Sequence, residues 1–434
     1  MPKVRTDRRE FIQTSAGLAA VAGAWSARPG RAASPGDKVG LGFIGCGGRA
    51  KQLMKIFKEF PDVEILAVSD AARYRMAEAA KLLGGEPNAH HPEQLLDYRK
   101  ILDNKNVAAV VIATTQHWHG LPFIHACQAG KQIFVEKPLS HTIVEGRAMV
   151  NWAKKTGVIA MMGTQQRAGE HYKRAVAKIQ GGELGKIALV ECWNYHNTGN
   201  RVGHGKDGEP LPGLDWDRWL GPAPYVPWNP SRMDNSWWFA YSGGMMTNWA
   251  IHHIDIILWA MKVRSPLRVS HAGGKFVVDD IADSPDTIEA SWDFPDFTMQ
   301  YIYRGFNNFH TVQNRPHHHG ICFHGNKATM VLDRSGYEIW PDGNPAKSIE
   351  KEPETPQDGP WQRTFVDCVK AGRPSPVDIE DDHRATACCH LANIAYKVHR
   401  TIQWDGEREQ IVGDAEAAKL LTLPRRKGYE LPEV

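Results

Sequence analysis

The stretch GGMMTNWAIHHIDIILWAM at residues 243–261 sets two histidines, an asparagine and an aspartate in a segment otherwise apolar enough to be buried. Asn248, His252, Asp255 and Trp259 fall at i, i+4, i+7 and i+11, so the spacing predicts a helix with one polar stripe. A histidine there suits proton transfer, because imidazole titrates near neutral pH; the competing reading is a core histidine satisfied by Asp255. Lys137, in VEKP, ends an apolar run. Desolvation in a crevice lowers a lysine from about 10.4 toward the ~7–8 useful for moving protons. GCGGRA at 45–50 fits G-x-G-x-x-G/A: Gly45 permits a tight turn, Gly47 lets backbone approach a pyrophosphate, and Ala50 lets helix pack closely on strand. Asp70, at the end of VEILAVSD, can accept hydrogen bonds from both ribose hydroxyls of an adenosine. It would repel a 2′-phosphate, which favours NAD; Arg73 nearby keeps NADP as the alternative.

These groups need elements to hold them. KVGLGFIG, VEILAVSD, AAVVIATT and KQIFVEKP read as four strands alternating with helices over 49–60 and HGLPFIHACQAG. That rhythm predicts a Rossmann-type doubly wound parallel sheet over 34–160, with Lys137 at its carboxyl edge, where ligands of such folds bind. After GVIAMMGTQQR the loops lengthen, and ALVECWNYH, TIEASWDF, TMQYIYRG and ATMVLDRSG predict an α/β domain over 161–434 with a large, mostly antiparallel open sheet. The boundary falls near residue 160, and the last segment is expected to pack back on the first domain. Seven of the 15 tryptophans lie between residues 216 and 259, suited mostly to core and in part to the apolar face of a sugar ring. PHHHG at 316–320 is not expected to bind metal, because adjacent histidines on a strand point to opposite faces.

With 42% hydrophobic and 23% charged residues, the 434-residue chain has an ordinary globular composition, and no membrane-spanning class is needed. Residues 1–33 hold six of the 52 Lys/Arg and two of the 49 Asp/Glu. The rest is close to neutral and does not advertise nucleic-acid binding. TDRREFIQTSAGLAAVAGAWSARPGRAASPG, with Arg8 and Arg9 before a weakly apolar run, resembles a twin-arginine export signal, which implies the export machinery as a partner, a periplasmic destination and a mature start near Ser34. Seven scattered cysteines are unlike a disulfide framework, and a fold completed before export needs none.

GFIGCGGRA, ATTQHWH, VEKPLS, GTQQR and GGMMTNWAIHHID, in this order over nearly the whole chain after the signal, resemble the Gfo/Idh/MocA family, the relatives of glucose-fructose oxidoreductase and inositol dehydrogenase. The resemblance implies that Gly45, Gly47, Gly48, Arg49, Asp70, Glu136 and Lys137 hold the dinucleotide, with Thr114, His117 and His119 under its nicotinamide. It makes Lys137 and His252 the catalytic pair, with Asn248 beside them, and turns Gln165 and Arg167 to the substrate. It also implies a homo-oligomer, dimer or tetramer, built through the open sheet. The family usually has an aspartate at the position of Asn248, which would hold His252 as imidazolium; asparagine orients without charge. We therefore expect Lys137 to be the principal acid/base, His252 to polarise the substrate oxygen and Asp255 to support it. Thr115 and Gln116 replace the more common Pro and Asn/Asp.

The expected activity is oxidation or reduction of a sugar, polyol or related carbohydrate. An exported enzyme meets no free NAD pool, so its cofactor should stay bound. Redox-neutral glycoside cleavage by oxidation, elimination and reduction is the second reading. A non-catalytic carbohydrate-binding or scaffold protein is the third.

Overall fold

VGLGFI forms β1 (Val39–Ile44), buried along its whole length as a central strand of a parallel sheet must be. In the computed structural model, which describes residues 38–84, 91–195, 201–309, 317–343 and 347–434, five more strands join it. They are β2 (Val63–Ser69), β3 (Glu93–Leu95), β4 (Ala109–Ile112), β5 (Gln132–Val135) and β6 (Ala160–Met162). Their order is β3-β2-β1-β4-β5-β6, and every pairing is parallel. Helices α1 (Gly48–Lys58), α2 (Arg73–Leu83), α3 (Gly120–Gln128) and α4 (Ile143–Thr156) alternate with these strands. The strand order reverses between β1 and β4, so a crevice opens at their carboxyl ends. The four predicted strands are present. β3 and β6 are additions, and β6 moves the boundary: Ala160–Met162 pairs with β5, so the first sheet extends beyond residue 160.

After α5 (Glu170–Gln180) comes a ten-stranded sheet of β7 (Ile187–Tyr195), β8 (Arg268–Gly274), β9 (Thr287–Asp293), β10 (Thr298–Arg304), β11 (His319–Gly325), β12 (Ala328–Asp333), β13 (Gly336–Pro341), β14 (Glu350–Pro353), β15 (Ile402–Asp405) and β16 (Gln410–Val412). The order is β14-β13-β12-β11-β7-β10-β9-β8-β15-β16. Only β7 and β10 run parallel. The predicted helix over 243–261 is α6 (Ile251–Met261), entered through a π turn at Met246–Ala250. It packs against α8 (Ile379–Val398), which also lies on β8 and α4.

Between them in the chain, α7 (Pro360–Ala371) returns to the first sheet, where Trp361, Phe365 and Val366 share one core with Val39, Leu41, Phe43 and Phe134. The Phe134 and Phe365 rings meet at 5.6 Å, edge to face. Each aromatic so buried stabilises by roughly 1.5–3 kcal/mol. Asp62, just before β2, fixes the same helix through Arg363 (2.7 Å) and Lys370 (2.8 Å). The C-terminal segment also packs back, the Trp152 indole donating to the Pro432 carbonyl at 3.1 Å. All seven cysteines are buried and none is in a disulfide. Among the described residues no helix is long and apolar enough to cross a membrane. Arg8 and Arg9 lie outside the described residues.

Candidate active site

At the end of β1 the chain turns through Gly45, whose φ is +96°. A Cβ there would sit 2.5 Å from the Ala113 carbonyl oxygen, so both conformation and space require glycine. Gly47 caps α1 with no side-chain hydrogen bond, and no acidic residue stands in its first turn. A Cβ on Gly48 would meet nothing within 4 Å, and one on Gly47 only the Arg75 guanidinium at 3.9 Å. The helix thus offers uncapped N–H groups to open space, an arrangement that fits a pyrophosphate. Asp70 accepts the Cys46 N–H (2.7 Å) and the Ala72 N–H (2.8 Å), which fix its carboxyl at the cleft. Burial raises its pKa against those two bonds. The basic residue lining the cleft beside it is Arg75; Arg73 is exposed and outside the lining. The cleft, about 520 Å³, runs from this turn past Thr114 and Gln116 to Lys137 and Asn248. Thr114 Oγ1 is buried without a partner among the described residues, a further place for a ligand's polar group.

The glycine turn is tied to β5 by Arg49, whose Nε meets Glu136 at 2.8 Å and whose Nη2 meets Asp358 at 2.9 Å. Next to Glu136, Lys137 Nζ donates to both oxygens of Asn248: Oδ1 at 2.8 Å and the carbonyl at 2.6 Å. π turns recur at functional sites, and this one presents a side-chain and a backbone acceptor to a single ammonium. Burial pushes Lys137 down to about 8; Glu136 opposes the shift, while Arg49 and Arg334 add to it. A second clasp lies alongside. Gln116 Oε1 accepts from Thr247 Oγ1 (2.8 Å) and the Gly243 N–H (3.1 Å).

Several expected contacts are replaced by others. His252 is buried one turn beyond Asn248 with its Nδ1 unpartnered, and burial, Lys137 and Arg334 push it well below its ordinary value. Its imidazole is therefore neutral at pH 7. Asp255 does not support it: the carboxylate is gripped by Arg167 through Nε (2.8 Å) and Nη2 (2.7 Å). A fully buried carboxylate needs a charged partner, and Arg167, from the turn after β6, supplies it. Arg167 and the buried Gln165 consequently do not line the cleft.

His117 and His119 also face inward. His117 Nε2 lies 3.2 Å from the Trp219 carbonyl, and His119 contacts the carbonyls of Pro138 (2.8 Å) and Thr114 (3.3 Å). Residues 116–118 form a 3₁₀ turn, which aims Trp118 at the cleft instead. Burial lowers both imidazoles, His117 to about 4.

Gln166, unremarked in the sequence, joins the two halves of the site. With its amide placed to satisfy both ends, it donates to the His252 carbonyl (2.8 Å) and accepts from Tyr172 Oη (3.0 Å) and Arg334 Nε (3.3 Å). Among the tryptophans, Trp216, Trp219, Trp237 and Trp238 are core, whereas Trp249 is partly exposed beside His252. His324 pairs with Glu191 at 2.7 Å, and no group of three metal-ligating side chains occurs among the described residues. His310 lies outside them.

Fold and cleft together define a two-domain protein built around a dinucleotide. Residues 39–164 match the model of the oxidoreductase family, NAD-binding Rossmann fold, and residues 191–291 and 342–431 match its C-terminal alpha/beta domain. The chain belongs to the Gfo/Idh/MocA oxidoreductase family. The scyllo-inositol 2-dehydrogenase (NAD(+)) of Bacillus subtilis (strain 168) is 34% identical over 148 residues, 34% of this chain and 40% of that protein. A glycosyl hydrolase family 109 protein of Solibacter usitatus (strain Ellin6076) is 28% identical over 163 residues, 35% of this chain and 37% of the relative. Both alignments thus span less than half of the relative. The aldose-aldose oxidoreductase of Caulobacter crescentus, solved with glycerol, shares the fold with a TM-score of 0.63 at 20% identity, over 84% of this chain and 99% of that one.

Proposed function

We propose that the protein is an NAD-dependent oxidoreductase acting on a CH–OH group of a sugar, polyol or related carbohydrate, exported with its cofactor tightly held. The observation that carries this reading is Lys137: a lysine pushed down to about 8, at the end of the cleft that begins at the glycine turn. The Gly45–Arg49 turn would hold the pyrophosphate and Asp70 the adenosine ribose. The nicotinamide, when bound, supplies the two-electron acceptor for the alcohol carbon. Lys137 Nζ takes the proton of the reacting hydroxyl, which its lowered pKa permits near neutral pH. Asn248 fixes the direction of Nζ. His252, kept neutral, offers a hydrogen bond to the substrate oxygen without competing for its proton.

Denaturing the purified protein and identifying the released nucleotide tests the cofactor; NAD is expected, and protein free of nucleotide would remove the tight-binding element. Adding sugars and polyols to the loaded protein while following bound-cofactor absorbance tests the chemistry. The family 109 relative favours a second reading, in which transient oxidation acidifies a neighbouring C–H and a glycosidic oxygen leaves. Released aglycone without net cofactor reduction would select it. A dimer or tetramer formed through the open face of the ten-stranded sheet, around Trp193, Tyr195 and Trp340, completes the proposal; light scattering reads it.

A further inference from the structure

Arg334, in the turn between β12 and β13, forms no ion pair among the described residues, in contrast to its cationic neighbours. Arg49 is answered by Glu136 and Asp358, and Arg167 by Asp255. The Arg334 guanidinium lies over the Trp249 ring, 4.9 Å from its centroid, and its Nε is held by Gln166 at 3.3 Å. Its terminal nitrogens have no protein acceptor among the described residues. A guanidinium over an aromatic face, with its terminal nitrogens unclaimed among the described residues, is arranged for contact with a carboxylate.

The surroundings point the same way. Gln166 connects Arg334 to the His252 backbone, one helical turn from the Lys137–Asn248 contact. Three ring nitrogens nearby, His252 Nδ1, His253 Nε2 and His319 Nδ1, lack partners among the described residues. The His319 and Trp249 rings are 5.0 Å apart, and those of His253 and His319 5.8 Å. Burial first, and then the charge of Arg334 among others, keeps these imidazoles below their ordinary values, so they remain neutral. Lys137 meets only the neutral oxygens of Asn248. Asp358 acts on Arg334 from beyond ion-pair distance and is itself engaged by Arg49, and a partly buried cation without a close counter-ion is costly unless a ligand supplies one. Arg334 does not line the glycine-turn cleft, so a dinucleotide placed there leaves it free.

We propose that Arg334 receives the carboxylate of an acidic sugar, making the substrate a uronate or aldonate whose reacting hydroxyl reaches Lys137. The assignment rests on the oxidoreductase reading for its chemistry but has its own binding readout. Pairs differing in one carboxylate, namely glucuronate with glucose, galacturonate with galactose and gluconate with glucitol, are titrated calorimetrically into the NAD-loaded protein and followed by bound-cofactor absorbance.

At least one acid should bind about 10–100-fold more tightly than its neutral partner, as a charged hydrogen-bonded pair provides. Arg334→Met should bring that ratio within about threefold, and Arg334→Lys, which keeps charge and fold but not the fork, should restore part of it. Equal binding of acid and neutral sugar, binding of neither, or an unchanged ratio in Arg334→Met would overturn the proposal. So would a loss of NAD affinity in Arg334→Met matching the loss of acid affinity, since Arg334 would then serve the cofactor. Acid-selective binding without cofactor reduction upholds the carboxylate site and overturns the redox reading; reduction by neutral sugars alone does the reverse.

Discussion

At the scale of single residues, the contact between Lys137 and Asn248 decides the pH behaviour. The reacting base must be the neutral amine, so cofactor reduction should rise with pH through about 8, where Lys137 loses its proton. Asn248→Asp puts a carboxylate on Nζ in place of an amide oxygen. An opposite charge favours the ammonium, so the Lys137 pKa rises and the limb moves to higher pH. Lys137→Ala should lower the rate by about 10²–10⁴, the usual worth of general acid–base catalysis. Stopped-flow reduction of bound cofactor across pH 5–10 reads all three enzymes. An unmoved limb in Asn248→Asp would detach the asparagine from the lysine. Periodicity alone set Asn248 beside His252; the structure turns it to Lys137, a contact across 111 positions that local spacing does not encode. Gly45, Asp70 and Lys137 were legible because each ends a strand of a parallel sheet, where position itself implies a ligand. Arg334 was not, because DRSG between two strands reads as any hairpin turn.

At the scale of elements, two short irregular pieces carry the site. The π turn at Met246–Ala250 is invisible to a 3.6-residue pattern, which nonetheless located the helix. The 3₁₀ turn at 116–118 reverses which side chains of QHWH face the cleft, so the sequence pointed to His117 and His119 where Trp118 stands. β3 and β6, three residues each, are too short for any alternation to register. The first glycine turn is the opposite case, dictated by residue type. Gly45→Ala adds a Cβ 2.5 Å from the Ala113 oxygen at positive φ. Its cost should exceed about 2 kcal/mol, since strain and overlap act together. Chemical denaturation and NAD titration check it: both stability and affinity should fall, and a variant that binds NAD normally would show that the turn tolerates a side chain.

At the scale of the whole molecule, the doubly wound half and the mostly antiparallel half were both foreseen from strand rhythm, and a return of the last segment onto the first domain was an expectation besides. That α7 makes much of this return was not, because WQRTFVDCVKA is an ordinary amphipathic helix whose partner surface lies some 300 residues away in the chain. The proposed export is tested at this scale as well. Replacing Arg8 and Arg9 together by Lys should leave the protein in the cytoplasm, and unchanged periplasmic recovery on cell fractionation would reject the twin-arginine reading.

The seven buried cysteines, none of them in a disulfide, have a consequence of their own. A thiol-reactive dye cannot reach them while the chain stays folded, so labelling in native buffer becomes a clock of opening events. Sulfurs as far apart as Cys46 in the glycine turn and Cys388 in α8 report separate regions. Phe365→Ala, which empties the contact between α7 and the first sheet, should cost about 3–5 kcal/mol. If the two halves open together, mass spectrometry should find all seven sites labelled in step and faster than in the parent; if they open separately, Cys46 and Cys368 should run ahead of Cys192 and Cys322. Were the protein exported as proposed, the same thiols would set the terms of life in an oxidising compartment: a chain that opened there, even briefly, would offer seven sulfurs to wrong pairing, so the molecule would survive only as long as it stayed shut.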